Sequence, residues 1–345
     1  MFLREKDTVE MSADMALLEK LFMPFMFQAI YVAADLQLAD HLEDGSKSVG
    51  ELARVTQTDE AALYRVLRAL SSMAIFKESE KGVFQLTPMA EYLKSDVEGS
   101  LHSMALMLGE HWIWQTLPGL STSVKTGESS FDKALKLPFY EYLNQTENKR
   151  AGETFNLAMY HNTQRQIEQI LTNYDFSAYH KIVDVAGNHG QLLTAILNQT
   201  PDSEGVLFDR PYAREMALAN LDKEEVSDRC EFIVGDFFKE IPKGGDLYIL
   251  KHILHNWDDD KAIEILKQCR EAMGENGKLL VIESVVAESN ARDMIKFLDL
   301  QMLLLLGGKE RTKEEYSQLC EASGLFMHRV IETSMGMALM EIYRV

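Results

Sequence analysis

The stretch KIVDVAGNHGQLLTAIL, residues 181–197, reads as a strand, a tight turn and the start of a helix. Lys181 to Val185 is an apolar run holding one acid, Asp184, and the turn holds Gly187 and Gly190. Four more apolar runs follow: GVLFDRP (205–211), CEFIVGD (230–236), DLYILKHIL (246–254) and KLLVIESVV (278–286). Helical stretches at 190–199, 211–222 and 259–273 separate them. Nearly continuous apolar strands alternating with helices predict a parallel sheet covered on both faces. The expected fold is therefore a doubly wound, Rossmann-like α/β domain over residues 179–345. Ligands of such sheets bind outside the carboxyl ends of the strands.

The rest of the chain reads differently. Its 345 residues suggest two domains. Residues 1–100 have a helix, turn, helix, wing outline: SVGELARVTQTDEAALYRVLRALSSMAIF, then FKESEKGVFQLT around a charged turn. The candidate recognition helix sets Asp59 and Glu60 against Arg65 and Arg68, and the chain carries a net charge of −19. A phosphate backbone would be repelled, so a dimerising role is preferred to nucleic-acid binding. ALLEKLFMPFMFQAIYVAADLQLADHL, near the amino end, is apolar nearly all round. It is expected to be buried, against a second subunit. Residues 101–178 are helical and aromatic, fit to link the domains and line a pocket. MFLREKDTVEMSADM has no apolar signal core, and no apolar run is long enough to span a bilayer. Cys230, Cys269 and Cys320 form no CxxC pair. A reducing, cytoplasmic setting without a membrane partner is expected.

Three strand ends carry chemistry. After Asp184 the glycine turn opens a helix whose amino-terminal amides suit an anionic group. Asp209, 25 residues beyond Asp184, is placed to accept hydrogen bonds from a ribose diol. Gly235, Asp236 and Phe237 end the third run; a carboxylate beside an aromatic ring suits adenine. Together they suggest an adenosine-containing cofactor, although acids at strand ends are also common helix caps. With no GxxxxGK[ST] loop, a nucleoside triphosphate is disfavoured. The fourth run ends in ILKHILHNWDDD (249–260), with two histidines three residues apart, either of which could be a base.

With GDFF, HNWDDD, VIESV and GGKERT in this order, the sequence resembles the class I S-adenosylmethionine-dependent O-methyltransferases, the family of plant caffeate, acetylserotonin and bacterial antibiotic O-methyltransferases. The resemblance implies a winged-helix dimerisation domain, a helical linker and a Rossmann-like catalytic domain. It implies S-adenosylmethionine as cofactor, S-adenosylhomocysteine as product, no metal, and a small hydroxylated aromatic acceptor. By motif the catalytic histidine is His255, assisted by Glu283 and Glu310. Asp184, Gly187, Asn188, Gly190, Asp209, Gly235, Asp236, Phe237 and Lys251 are the implied cofactor residues. Trp114, Phe155, Asn156, Met159, His252 and Met302 would line an acceptor pocket suited to a flat, apolar molecule. Each key residue has a plainer role open to it: a solvated histidine, a loop-anchoring Glu283, a helix-capping Glu310. The family turn is usually DVGGGxG; here two of its glycines are Ala186 and Asn188. That departure keeps a second reading open, a cofactor-binding relative with hydroxylase-like or pericyclase-like chemistry.

Overall fold

In the computed structural model, residues 12–333 and 336–345 are described. Most of the stretch read above for a signal core lies outside them. The chain forms two compact units, the first ending at Glu110 and the second spanning His111–Val345.

In the first unit the helix–turn–helix follows from local signals. Ser48 and Glu51 form a reciprocal capping box at the start of helix Val49–Thr56. Asp59 caps helix Glu60–Ser72 by accepting the Ala62 N–H at 2.8 Å. Leu63, Leu67 and Leu70, at helical spacing, are its buried face. The wing is β2 (Phe76–Glu80) paired antiparallel with β3 (Val83–Leu86), and β1 (Lys47–Ser48) closes the other edge of β3. The apolar amino-terminal segment forms helices Ala13–Leu21 and Met23–Asp35. Within one chain the first of these buries no residue, so its apolar side chains remain for a second subunit to cover, as the sequence reading expects. Leu17, Leu21, Phe22 and Phe25 all face outward, with Phe25 74% exposed. No single described helix is long and apolar enough to cross a membrane, and these two would reach that length only as a pair bent by 43°.

The second unit holds a seven-stranded sheet, ordered β6-β5-β4-β7-β8-β10-β9. The five predicted runs are β4 (Lys181–Val185), β5 (Glu204–Asp209), β6 (Cys230–Val234), β7 (Leu247–Lys251) and β8 (Lys278–Ser284). All five run parallel. Two strands were not anticipated. β9 (Leu325–Glu332) and β10 (Met337–Arg344) form a hairpin that adds antiparallel to β8, so the sheet is mixed. Alternate residues of each central strand enter opposite cores. Val183, Val185, Leu250 and Val281 pack with helices Asp259–Ala272 and Lys313–Ala322. Ile182, Ile249, Leu280 and Ile282 pack with helix Gln191–Gln199 and the end of helix Lys149–Asn173. This period-two division explains why the runs lack a polar face. Strand order reverses between β4 and β7, and that switch point brings the end of β4 beside the end of β7. Cys230, Cys269 and Cys320 are free and buried.

Candidate active site at the carboxyl ends of the central strands

His255 lies in the short turn after β7, and Glu310 lies in the segment entering helix Lys313–Ala322. Both are buried. His255 Nδ1 is 2.6 Å from Glu310 Oε1, the length of a charge-assisted hydrogen bond. Glu283, the last residue but one of β8, has no exposed surface. Its Oε1 accepts the N–H groups of Ile253 (2.9 Å), Leu254 (2.8 Å) and His255 (3.3 Å). Its Oε2 is 3.4 Å from His252 Nδ1 and 3.7 Å from His255 Nδ1. The two acids therefore divide the work. Glu310 holds the imidazole, while Glu283 holds the loop and contributes charge nearby.

The electrostatics follow. Burial pushes Glu283 upward, but the two histidines and a main-chain donor outweigh it and keep its carboxyl below the ordinary range. Burial pulls His255 downward, but the charge of Glu283 and the hydrogen bond and charge of Glu310 outweigh that and raise it above an ordinary imidazole. Glu310 is also shifted up, burial counting for more than its histidine. Those two directions imply different places for the shared proton. We favour the imidazole, because Glu283 is held anionic by three main-chain donors. Nδ1 then carries the proton toward Glu310, and the lone pair sits on Nε2. His252 differs: burial, then Lys251, push it down to about 4, so it is neutral. Its backbone is left-handed, φ 54°, and its ring Nε2 is 3.0 Å from Gln166 Nε2. Ligand atoms of His252, His255 and Glu283 lie within 4.8 Å of one another, close enough for a cation; of the atoms that face one another, His255 Nδ1 is taken by Glu310, while His252 Nδ1 and Glu283 Oε2 have no hydrogen-bond partner among the described residues.

The ends of β4, β5 and β6 form the neighbouring cleft. Ala186 and Asn188, which stand where the family pattern has glycine, both take glycine's left-handed conformation, φ 58° and 53°. The turn thus keeps its shape. A Cβ at Gly187 would fall 2.4 Å from Asp184 Oδ2, and one at Gly190 (φ 74°) would fall 2.7 Å from Leu207 Cδ2. Asp209 Oδ2 accepts the Asn188 N–H at 2.8 Å, drawing the turn onto β5. The buried amide oxygen of Asn188 has no partner among the described residues, so an acceptor is available to a ligand. Burial pushes Asp184 up to about 7, against the pull of Lys251. Burial pushes Lys251 down to about 8, and its Nζ lies 3.1 Å from Thr163 Oγ1. Asp236 is more occupied than the sequence suggested, pairing with Arg210 at 2.8 Å. At Gly235 a Cβ would strike the Phe208 ring at 2.1 Å. Phe237 packs on Phe238 at 4.8 Å and faces the edge of Trp257 at 6.2 Å.

Five of the six residues read as acceptor-lining sit on three helices, Trp114 on His111–Thr116, Met302 on Ile295–Leu305, and Phe155, Asn156 and Met159 on Lys149–Asn173, while His252 directly follows β7. At 100° per residue, positions 155, 156, 159, 163 and 166 share one face of the long helix. Thr163 and Gln166 on that face meet Lys251 and His252. The stripe therefore runs from the strand ends toward Phe155, whose ring packs on Phe139 at 5.4 Å. Gln166 and Thr163 were not singled out in the sequence, whereas Asn188 was already read as a cofactor residue. The helical stripe was the signal for the first two.

Residues 117–326 match the O-methyltransferase domain, and residues 18–96 match the O-methyltransferase dimerisation domain. The chain is 40% identical to phenazine O-methyltransferase PhzM of Lysobacter antibioticus over 314 residues, 91% of each chain. It is 33% identical to 8-amino-8-demethylriboflavin N,N-dimethyltransferase of Streptomyces davaonensis, over 86% of this chain and 85% of that one. It also superposes on the crystal structure of a methyltransferase in calicheamicin biosynthesis in its SAH-bound form. That match has a TM-score of 0.87 and 31% identity, and covers 97% of this chain and 100% of that one.

Proposed function

The chain belongs to the O-methyltransferase family and is an S-adenosylmethionine-dependent methyltransferase, and from that premise we propose that it methylates a phenolic hydroxyl of a flat, apolar small molecule with His255 as general base. The observation that carries this is the 2.6 Å contact between His255 Nδ1 and Glu310 Oε1. A carboxylate on Nδ1 fixes the tautomer and leaves the Nε2 lone pair for a substrate proton.

The bound cofactor supplies a methyl group activated on a sulfonium. The glycine turn, Asp184 and Lys251 would hold its charged amino-acid end, and Asp209 its ribose diol. Gly235, Asp236 and Phe237 would border its adenine. A phenol of pKa about 10 is poorly ionised at neutral pH and gains from a base. An amine acceptor attacks with a lone pair it already has, so a built histidine base favours oxygen. The hydroxyl's proton passes to His255 Nε2, and Glu310 balances the imidazolium. His252, neutral and tied to Gln166, would face the acceptor without taking its proton. Trp114, Phe155, Asn156, Met159 and Met302 would form the apolar slot. The non-methylating reading drew on the altered turn, whose left-handed conformation is retained at both positions.

The first unit supports self-association. A dimerisation domain covers residues 18–96, and its apolar row from Leu17 to Phe25 is exposed in one chain.

The test compares His255→Ala with His252→Ala, using labelled cofactor and a panel of phenols. His255→Ala should lose about 10²–10⁴-fold in methyl transfer while binding cofactor as before. His252→Ala should lose less, chiefly in acceptor KM. Equal losses, or a larger one at His252, would show that the base is misassigned.

A further inference from the structure

Arg311 is wholly buried, with no exposed surface. Its Nη1 donates to two carbonyls, Leu254 O at 3.0 Å and Lys309 O at 3.2 Å. Those two residues immediately precede His255 and Glu310. Its Nη2 donates to Trp257 O at 2.9 Å, and Nη2 and Nε both reach Asp259 Oδ1, at 2.8 and 2.9 Å. A single planar group thus spans the loop that bears the histidine and the segment that bears its acid.

Other contacts run along the same seam. The Lys309 N–H donates to His255 O at 2.9 Å. That approach needs Gly308, where a Cβ would fall 2.1 Å from His255 O. The Glu310 N–H is held by Asp299 Oδ1 at 2.9 Å. The aspartates of HNWDDD also gain separate functions: Asp258 caps the next helix through the Lys261 N–H, and Asp259 neutralises Arg311.

We propose that Arg311 is a positioning residue that sets the spacing between His255 and Glu310 by bridging the carbonyls just before each of them. A guanidinium is suited to this because its donors are fixed in a plane, whereas an ammonium presents one point charge. Burying a cation is costly, and a role confined to holding the fold could be met by apolar packing. Here the five bonds converge on the two segments whose separation must hold to about 0.5 Å for the pair to work.

The proposal shares its site with the reading of His255 as base, so its test reads the spacing apart from turnover. Histidine-labelled protein is titrated by NMR in the presence of S-adenosylhomocysteine, with the His255 signal assigned by His255→Gln. Arg311→Lys keeps the charge and breaks the bridge. The His255 midpoint should fall by about one pH unit as Glu310 drifts away, and kcat should fall about 10²-fold with cofactor affinity unchanged. Asp259→Ala loosens the same guanidinium from the solvent side and should shift the midpoint the same way, by less; it carries the test if Arg311→Lys does not fold. A midpoint unmoved in both variants, with rate loss tracking lost folded protein, overturns the proposal. A lowered midpoint with unchanged turnover supports the bridge and counts against His255 as base.

Discussion

Ala186→Gly should make the protein more stable, contrary to the usual effect of adding a glycine. Ala186 sits at φ 58°, where the Cβ of an L-residue crowds the following carbonyl at a cost of about 1–2 kcal/mol. Glycine removes that cost but loses about 0.4–1 kcal/mol through the greater freedom of the unfolded chain. The net gain is about 0–1.6 kcal/mol, about 0.8 at mid-range, or a rise of about 2–3 °C in Tm for a unit of this size. The Ala186 N–H bond to Phe208 O, 2.7 Å, uses main-chain atoms and survives the change. Gly190→Ala, in the same turn, is the mirror experiment. It places a Cβ at φ 74° and 2.7 Å from Leu207 Cδ2, so strain of about 1–2 kcal/mol adds to overpacking of about 1–3 kcal/mol. Both variants should be melted without cofactor, and cofactor affinity measured by calorimetry. Ala186→Gly should melt higher with affinity equal or tighter, and Gly190→Ala should melt clearly lower. If Ala186→Gly melts at or below the native temperature, the strain argument is wrong. The substitution would then have to be explained by a contact of the Ala186 methyl.

Three further outcomes are expected. Because His255 is raised above an ordinary imidazole and must be neutral to act, kcat should climb with pH through a limb above about 6.5; Glu310→Gln should move that limb downward, and a limb that stays in place would remove Glu310 from the base's environment. Asp209→Ala should weaken cofactor binding about 10–100-fold by calorimetry, since a charged acceptor is lost together with its hold on the Asn188 N–H; unchanged affinity would dissociate Asp209 from the cofactor. Light scattering at micromolar concentration should give twice the 39.2 kDa chain mass, and Leu21→Glu with Phe25→Glu should halve it; a monomeric native protein would contradict self-association through that face.

What the sequence determined by itself was everything set by short-range periodicity. Runs such as KIVDV and LYILK, apolar on both faces, could only be strands sandwiched between helices. GDFF, HNWDDD, VIESV and GGKERT, in that order, were enough to assign the family, and the resemblance implied Asp184, Asp209, His255, Glu283 and Glu310 as site residues, of which the fold brings His255, Glu283 and Glu310 into contact. Its limits were those of local pattern. β9 and β10 were missed because LFMHRVIE alternates weakly, and the hairpin is defined by pairing with β8, from Met337 opposite Ser284 to Tyr343 opposite Lys278, far away in the chain. The polarity of residues 17–25 could not say whether a helix is buried by its own chain or left exposed for another. Tertiary structure alone decided that Glu310, 55 residues from His255, holds the ring while Glu283 holds the loop. Composition treats the two acids alike, and the 2.6 and 3.7 Å separations distinguish them. The same applies to Arg311 and Gly308. A buried guanidinium and a missing Cβ acquire meaning from the carbonyls beside them, and those carbonyls belong to a loop that the chain reaches only after folding.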